Sequence, residues 1–320
     1  MADADLATRA PESDAAAPTS ATEPVVPDDT PAPTGPAMGE HCVSDRPTPA
    51  GQSGSGETRK LGGVDVYVSK PADYPHAPAK LLLLLTGGTG FKSANNQIQA
   101  DRFASEGFVV VMPDLFEGDA FPNSAAAPED GLTLLDQIKL KAVETAKSFM
   151  IDMWIARHTE EKVMPTLRKV LDAAKGEFAD AISNGGGIYA AGYCFGGRYV
   201  ILLAAERQLQ GPADEESGPK TDGPHIKVGA LAHPSMVATD DFAGVKAPLS
   251  LVCVESDPLF PDDMRTALED SFSKNNVEHE VQVYPGVPHG FAVVGEYDNA
   301  GIKTAQETAY EQMLKWFKQH

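Results

Sequence analysis

Apolar positions along the chain switch between two periods. "GVDVYVSKP" alternates apolar and polar residues and reads as a half-buried strand, whereas "AKLLLLLTGG" and "FVVVMPDLF" are continuous apolar runs, which suit strands covered on both faces. Between those two runs, "NNQIQADRFASEG" has helical spacing, with Ile98, Phe103 and Ala104 on one face. Helices are expected over about Leu132 to Arg157 and about Pro165 to Ala181. Next come "GGIYAAGYC" as a strand and "GGRYVILLAAE" as a helix, then three further strands in "VGALAHP", "PLSLVCVES" and "EHEVQVYP". "TAQETAYEQMLKWFKQ" closes the pattern as an amphipathic helix. Strands alternating with helices, several of them uniformly apolar, predict an α/β fold with a mostly parallel central sheet and helices on both faces. "QLQGPADEESGPKTDGP" interrupts the pattern as a solvated loop.

Residues 1–58 have a different texture, rich in Ala, Pro, Thr, Ser, Gly and acidic residues. Such a segment cannot bury enough apolar surface to offset its ordering entropy, so a disordered tail is expected there, its last part resting on a domain that spans 59–320. The 320 residues include 42% hydrophobic positions, enough for one sizeable core, and carry a net charge of −20. That charge disfavours nucleic acid and anionic membranes as partners. The longest apolar run is too short for a membrane span. The amino terminus shows no secretory signal and is too acidic for a transit peptide, so a cytosolic location is expected. Cys42, Cys194 and Cys253 form no CxxC pair or disulfide framework, in keeping with a reducing compartment. His225 and His279 lack ligand-spaced neighbours, so no metal site is expected.

In such sheets, chemistry collects at the carboxyl ends of the strands. The strand–turn–helix run "GGIYAAGYCFGG" has the form of a nucleophile elbow, with Cys194 where serine is usual. The strained turn demands small neighbours, and Gly192 and Gly196 supply them. The first N–H groups of the following helix then favour a thiolate and help form an oxyanion hole. Taken alone, the match fits a small buried cysteine about as well. Two later strand ends alter that balance. "LSLVCVESDPLFP" offers Glu255 and Asp257, and "YPGVPHGF" presents His289. The order nucleophile, acid, histidine is the one an α/β-hydrolase triad requires. His233 in "LAHPS" also ends a strand on this side; it lines the pocket or shuttles protons, with packing or hydrogen bonding the more expected role. Asp114 is expected to bond the backbone of its own loop. Arg198 either pairs with an acidic side chain or reaches the pocket rim. Met150, Met153 and Trp154 are expected in the core or the pocket wall, and Cys253 in a buried strand.

"GYCFGGRY", "ESDPLFP" and "GVPHGFAV", with "NNQIQADRFASEGFVVVMPDLFEGD", together resemble the dienelactone hydrolase family from about Gly39 to the end of the chain. The resemblance implies an α/β-hydrolase fold, no cofactor, and hydrolysis of a small-molecule lactone or ester through an acyl-enzyme. It implies Cys194 as nucleophile, Asp257 as orienting acid and His289 as general base, with the backbone N–H groups of Phe195 and Gly88 as oxyanion donors. Two departures stand out. Gly87 occupies the place of a family glutamate that interacts with the resting cysteine, and Val293 and Val294 stand where a substrate-binding arginine often lies. A neutral ester, lactone or thioester is then as suitable as an anionic dienelactone. The competing expectations are a catalytically weak or inactive relative that binds a ligand or partner protein and, lowest of the three, a thiol-redox protein.

Overall fold

The computed structural model describes residues 44–121, 149–206 and 223–320. Parts of the expected helix over 132–157, residues 208–222 of the expected loop and Cys42 fall outside these residues.

Eight strands form one sheet: β1 (Glu57–Leu61), β2 (Val64–Ser69), β3 (Lys80–Leu85), β4 (Phe108–Pro113), β5 (Tyr189–Tyr193), β6 (Val228–Ala232), β7 (Leu249–Val254) and β8 (His279–Tyr284). Their spatial order is β1-β2-β4-β3-β5-β6-β7-β8. β1 and β2 are antiparallel to their neighbours, and from β4 to β8 every pairing is parallel. This is the expected α/β-hydrolase architecture.

The leucine run of β3 shows why a parallel strand reads as continuously apolar. Leu81, Leu83 and Leu85 enter the core on one face of the sheet, while Leu82 and Leu84 enter a second core on the other. Val109 and Val111 of β4 make the same division against Phe108, Val110 and Met112. Helices α1 (Ala94–Ser105) and α7 (Ala300–Gln319) cover the second core, with Ile98, Phe103 and Ala104 buried as their spacing predicts. Ser93 caps α1 by accepting a bond from the Asn96 amide. The first core is covered by helical residues 149–157 (the described part of α2), by α3 (Glu160–Glu177) and α4 (Ala179–Gly185), and by α5 (Phe195–Leu203) and α6 (Asp262–Lys274).

Three expectations shift. α3 begins at Glu160, five residues before Pro165, with Thr159 as its cap and Glu160 and Glu161 complementing the positive helix end. The proline sits inside the helix rather than at its first position. Regular structure is also present before residue 59, with β1 beginning at Glu57. β1 is a polar edge strand that no apolar alternation marks, turned into β2 by Gly62 and Gly63, both at positive φ as a two-residue hairpin requires. Ahead of it, residues 44–56 lie on the domain. Glu296 donates its amide to Pro47, Asn95 Nδ2 bonds the Arg46 carbonyl at 2.7 Å, and Ser55 reaches Asp101. Lastly, Trp154 is buried as expected, but Met150 and Met153 are about half exposed: they lie on the outer face of α2, away from the core that Trp154 enters. No helix among the described residues is long and apolar enough to cross a membrane.

Candidate active site

Five carboxyl-terminal strand ends converge on one cleft. β3 brings Gly87, β5 Cys194 and β6 His233, while the loop after β8 brings His289 and Gly290. The loop after β7 carries Asp257, which reaches the cleft through His289.

Cys194 is the sharp point of the elbow, at φ 50° and ψ −115°. Left-handed backbone is rare for a residue other than glycine and marks strain of the kind found at functional sites. The turn closes because its flanks carry no side chains. A Cβ on Gly192 would lie 2.6 Å from the Gly196 carbonyl oxygen, and one on Gly196 would lie 2.2 Å from the Leu85 oxygen. Backbone bonds then fix the turn, from the Gly196 amide to Thr86 and from the Cys194 amide to Ala232. The Phe195 and Gly88 amides take no part in the turn, loop and cap bonds among the described residues.

The Cys194 sulfur is buried, 3.5 Å from Ser235 Oγ, and the Ser235 amide bonds the Cys194 carbonyl. Ser235 escaped the sequence reading; its only signal was its place two residues beyond His233 in "LAHPS". Gly87 lies against Cys194 as expected, since a Cβ there would come within 3.3 Å of Cys194 Cβ and 3.8 Å of its sulfur. A longer side chain at this position would rest on the thiol.

His289 Nδ1 lies 2.7 Å from Asp257 Oδ2, with both side chains buried. Asp257 is held by the Leu259 amide on its other oxygen. Glu255, the other acid at this strand end, is exposed and turned away. Burial works against a charge on His289, but the negative Cys194 sulfur and the bonds to Asp257 and Cys194 outweigh it and raise its pKa to about 9. Nε2 is buried and faces the Cys194 sulfur.

His233 has a different environment. It is wholly buried at φ 38°, its ring centroid 4.9 Å from that of His289, and neither ring nitrogen has a hydrogen-bond partner among the described residues. Burial and then the His289 charge hold its pKa well below the ordinary range. Each unmet nitrogen costs about 1–3 kcal/mol.

Arg198 is absent from the cleft lining. Its Nε and Nη2 instead bond both oxygens of the buried Asp241, and Nη2 also reaches Glu160. That assigns it the acidic pairing and removes the pocket-rim alternative. Asp114 bonds the amides of Phe116 and Gly118, the loop role foreseen for it. Cys253 lies within β7, its pKa pushed up to about 12 by burial.

The cleft wall holds one further surprise. Ser44, Asp45 and Arg46, from the last part of the expected tail, line it beside Val293 and Val294, with Arg46 so close that a Cβ on Gly295 would lie 2.6 Å from its Cβ. The Arg46 guanidinium lies 5.0 Å from the centroid of the Tyr297 ring. Among the described residues no cluster of His, Cys, Asp and Glu is arranged to hold a metal ion.

Comparison with known proteins agrees with this picture. The fungal hydrolase pyvD of Aspergillus violaceofuscus is 29% identical, over 83% of this chain and 90% of its own length. Dienlactone hydrolase 1 of Gibberella moniliformis is 26% identical, over 82% and 87%. Among solved structures, an esterase from Thermogutta terrifontis aligns over 81% of this chain and 92% of its own, with a TM-score of 0.55 at 16% identity, which speaks for the fold alone. The model of the dienelactone hydrolase family matches residues 64–320, and the chain belongs to that family.

Proposed function

We propose that this ester-bond hydrolase cleaves a small carboxylic ester or lactone through a covalent thioester on Cys194, with His289 as acid and base and Asp257 as its orienting partner. The observation that carries the reading is the buried chain Asp257–His289–Cys194, with His289 Nδ1 2.7 Å from Asp257 and its pKa raised to about 9 against burial by Cys194 and Asp257. A thiolate beside such an imidazole needs no further base to attack. The acyl carbonyl carbon bonds to sulfur, and its oxygen takes negative charge against the Phe195 and Gly88 amides. As the intermediate collapses, His289 gives its proton to the departing alkoxide, which leaves as alcohol. Water then releases the acid and restores the ion pair. Asp257 keeps the proton of Nδ1 in place, so that Nε2 faces the reaction.

Hydrolysis of p-nitrophenyl acetate tests this. Cys194→Ala and His289→Ala should abolish turnover, and Asp257→Asn should lower kcat by about 10³–10⁴-fold through the wrong tautomer. Wild-type turnover in all three variants would refute the proposal.

A further inference from the structure

His233 is a polar group in the cleft that the chemistry above leaves unused. Its placement is built rather than incidental. The His233 amide bonds Val252 at 2.7 Å, and Pro234 packs on the elbow, so close that a Cβ on Gly197 would lie 3.0 Å from Pro234 Cβ. Ser235 then bonds the Cys194 carbonyl. The turn His233–Pro234–Ser235 is thus tied to the nucleophile's own backbone and holds the His233 side chain in the cleft at a left-handed φ. Tyr193 and Phe291 wall the ring at centroid distances of 6.1 Å, and neither bonds its nitrogens. Buried polar groups are ordinarily bonded, so an imidazole with no partner for either nitrogen among the described residues calls for one, and a held water would supply it.

The neighbouring His289 is likewise buried, and its imidazole faces the Cys194 sulfur. Two imidazoles with centroids 4.9 Å apart therefore border one polar spot beside the sulfur. A water molecule held in such a place needs two to four polar partners. Deacylation is the step that requires one, because the acylated sulfur then no longer bears the charge that holds a proton on His289.

We propose that His233 binds the water that hydrolyses the acyl-enzyme, accepting a hydrogen bond from the water proton that is not transferred. This rests on the thioester reading above. In the step itself the water oxygen bonds to the carbonyl carbon of the Cys194 thioester, and one water proton passes to His289 Nε2. The tetrahedral intermediate then collapses, the C–S bonding pair leaves on sulfur, and the carboxylic acid departs with the remaining water proton. His289 keeps its proton beside the restored thiolate. A charged His233 would have no lone pair to offer, and its burial beside the His289 imidazolium keeps it neutral.

The test is rapid-quench and steady-state kinetics with p-nitrophenyl acetate, reading the ratio of deacylation to acylation rate. His233→Ala should keep the acylation rate within about threefold while deacylation falls at least about tenfold, so that acetyl-Cys194 accumulates in intact-mass spectra. His233→Asn retains a neutral donor and acceptor on a residue that tolerates left-handed backbone, and should lose less, about threefold or more. Should the alanine variant not fold, the asparagine variant decides alone. Acylation and deacylation falling together, or an unchanged ratio, would overturn the role of His233 and leave the thioester mechanism standing. A wild-type enzyme that turns over with no acetyl group on Cys194 would overturn both.

Discussion

Replacing Cys194 with alanine should discharge His289. The imidazole titrates at about 9 in place of its ordinary 6.5, which corresponds to about 3 kcal/mol in favour of the charged form. Burial alone would drive the value the other way; the negative sulfur is the largest of the effects that raise it, ahead of the bond and charge of Asp257. Because the folded value lies above the unfolded one, the stability His289 contributes is complete below pH 6.5 and is lost as the pH rises through about 9. In Cys194→Ala the burial remains while the sulfur's charge and bond are gone, and Asp257 alone opposes it. The midpoint should then fall by more than about one pH unit, or roughly 1.4 kcal/mol. Proton NMR of the imidazole ring against pH measures this directly, with His289→Gln assigning the resonance. A Cys194→Ala midpoint within about half a unit of wild type would show that the sulfur is not what charges the histidine, and the ion-pair argument would fail.

Further consequences concern the frame around the site. Gly196→Ala places a methyl group 2.2 Å from the Leu85 oxygen, a backbone atom that cannot swing aside. It should cost about 3 kcal/mol or more in urea unfolding, and an unchanged midpoint would contradict the packing described. Arg198→Met leaves the buried Asp241 without its cation and should destabilise by about 3–5 kcal/mol. Because Arg198 does not line the cleft, KM for a small ester should stay within about twofold; a large rise would return Arg198 to substrate binding. Tyr67→Phe removes a hydroxyl that accepts from the Gly56 amide at 2.6 Å and donates to Asp101 at 2.8 Å. It should cost about 1–2 kcal/mol and speed proteolytic cleavage within residues 44–56, whereas unaltered cleavage would mean that other contacts hold the segment.

The parts of this molecule legible in its sequence are those where one local rule governs. β3 and β4 declared themselves through unbroken apolar runs, and Cys194 through glycines two residues away on each side, which the 2.2–2.6 Å approaches explain. Asp257 and His289 followed from their order along the chain, and the structure brings them within 2.7 Å. What escaped notice depends on contacts between distant segments. β1 is a polar edge strand whose register is set by β2, and nothing in "ETRKL" marks it. Arg46 belongs to a segment whose composition resembles a tail, yet its carbonyl and guanidinium are engaged by Asn95 and Tyr297, from other parts of the chain. Arg198 was ambiguous because its partner Asp241 lies in a short helical turn, Thr239–Phe242, that no periodicity predicts. Met150 and Met153 show the reverse error, apolar side chains read as core that face outwards.

The docking of residues 44–47 against Asn95, Glu296 and Tyr297 bears on how the enzyme comes into being. The reaction chamber borrows a wall from the beginning of the domain and closes it against the loop that precedes the final helix. During synthesis the first half of that seam leaves the ribosome long before the second exists. The elbow and its thiol can be shaped while the chamber still stands open on one side. Completion of the site is therefore a late event, reserved for a chain translated nearly to its end, and a fusion partner joined close to Ser44 would sit at the mouth of the finished cleft.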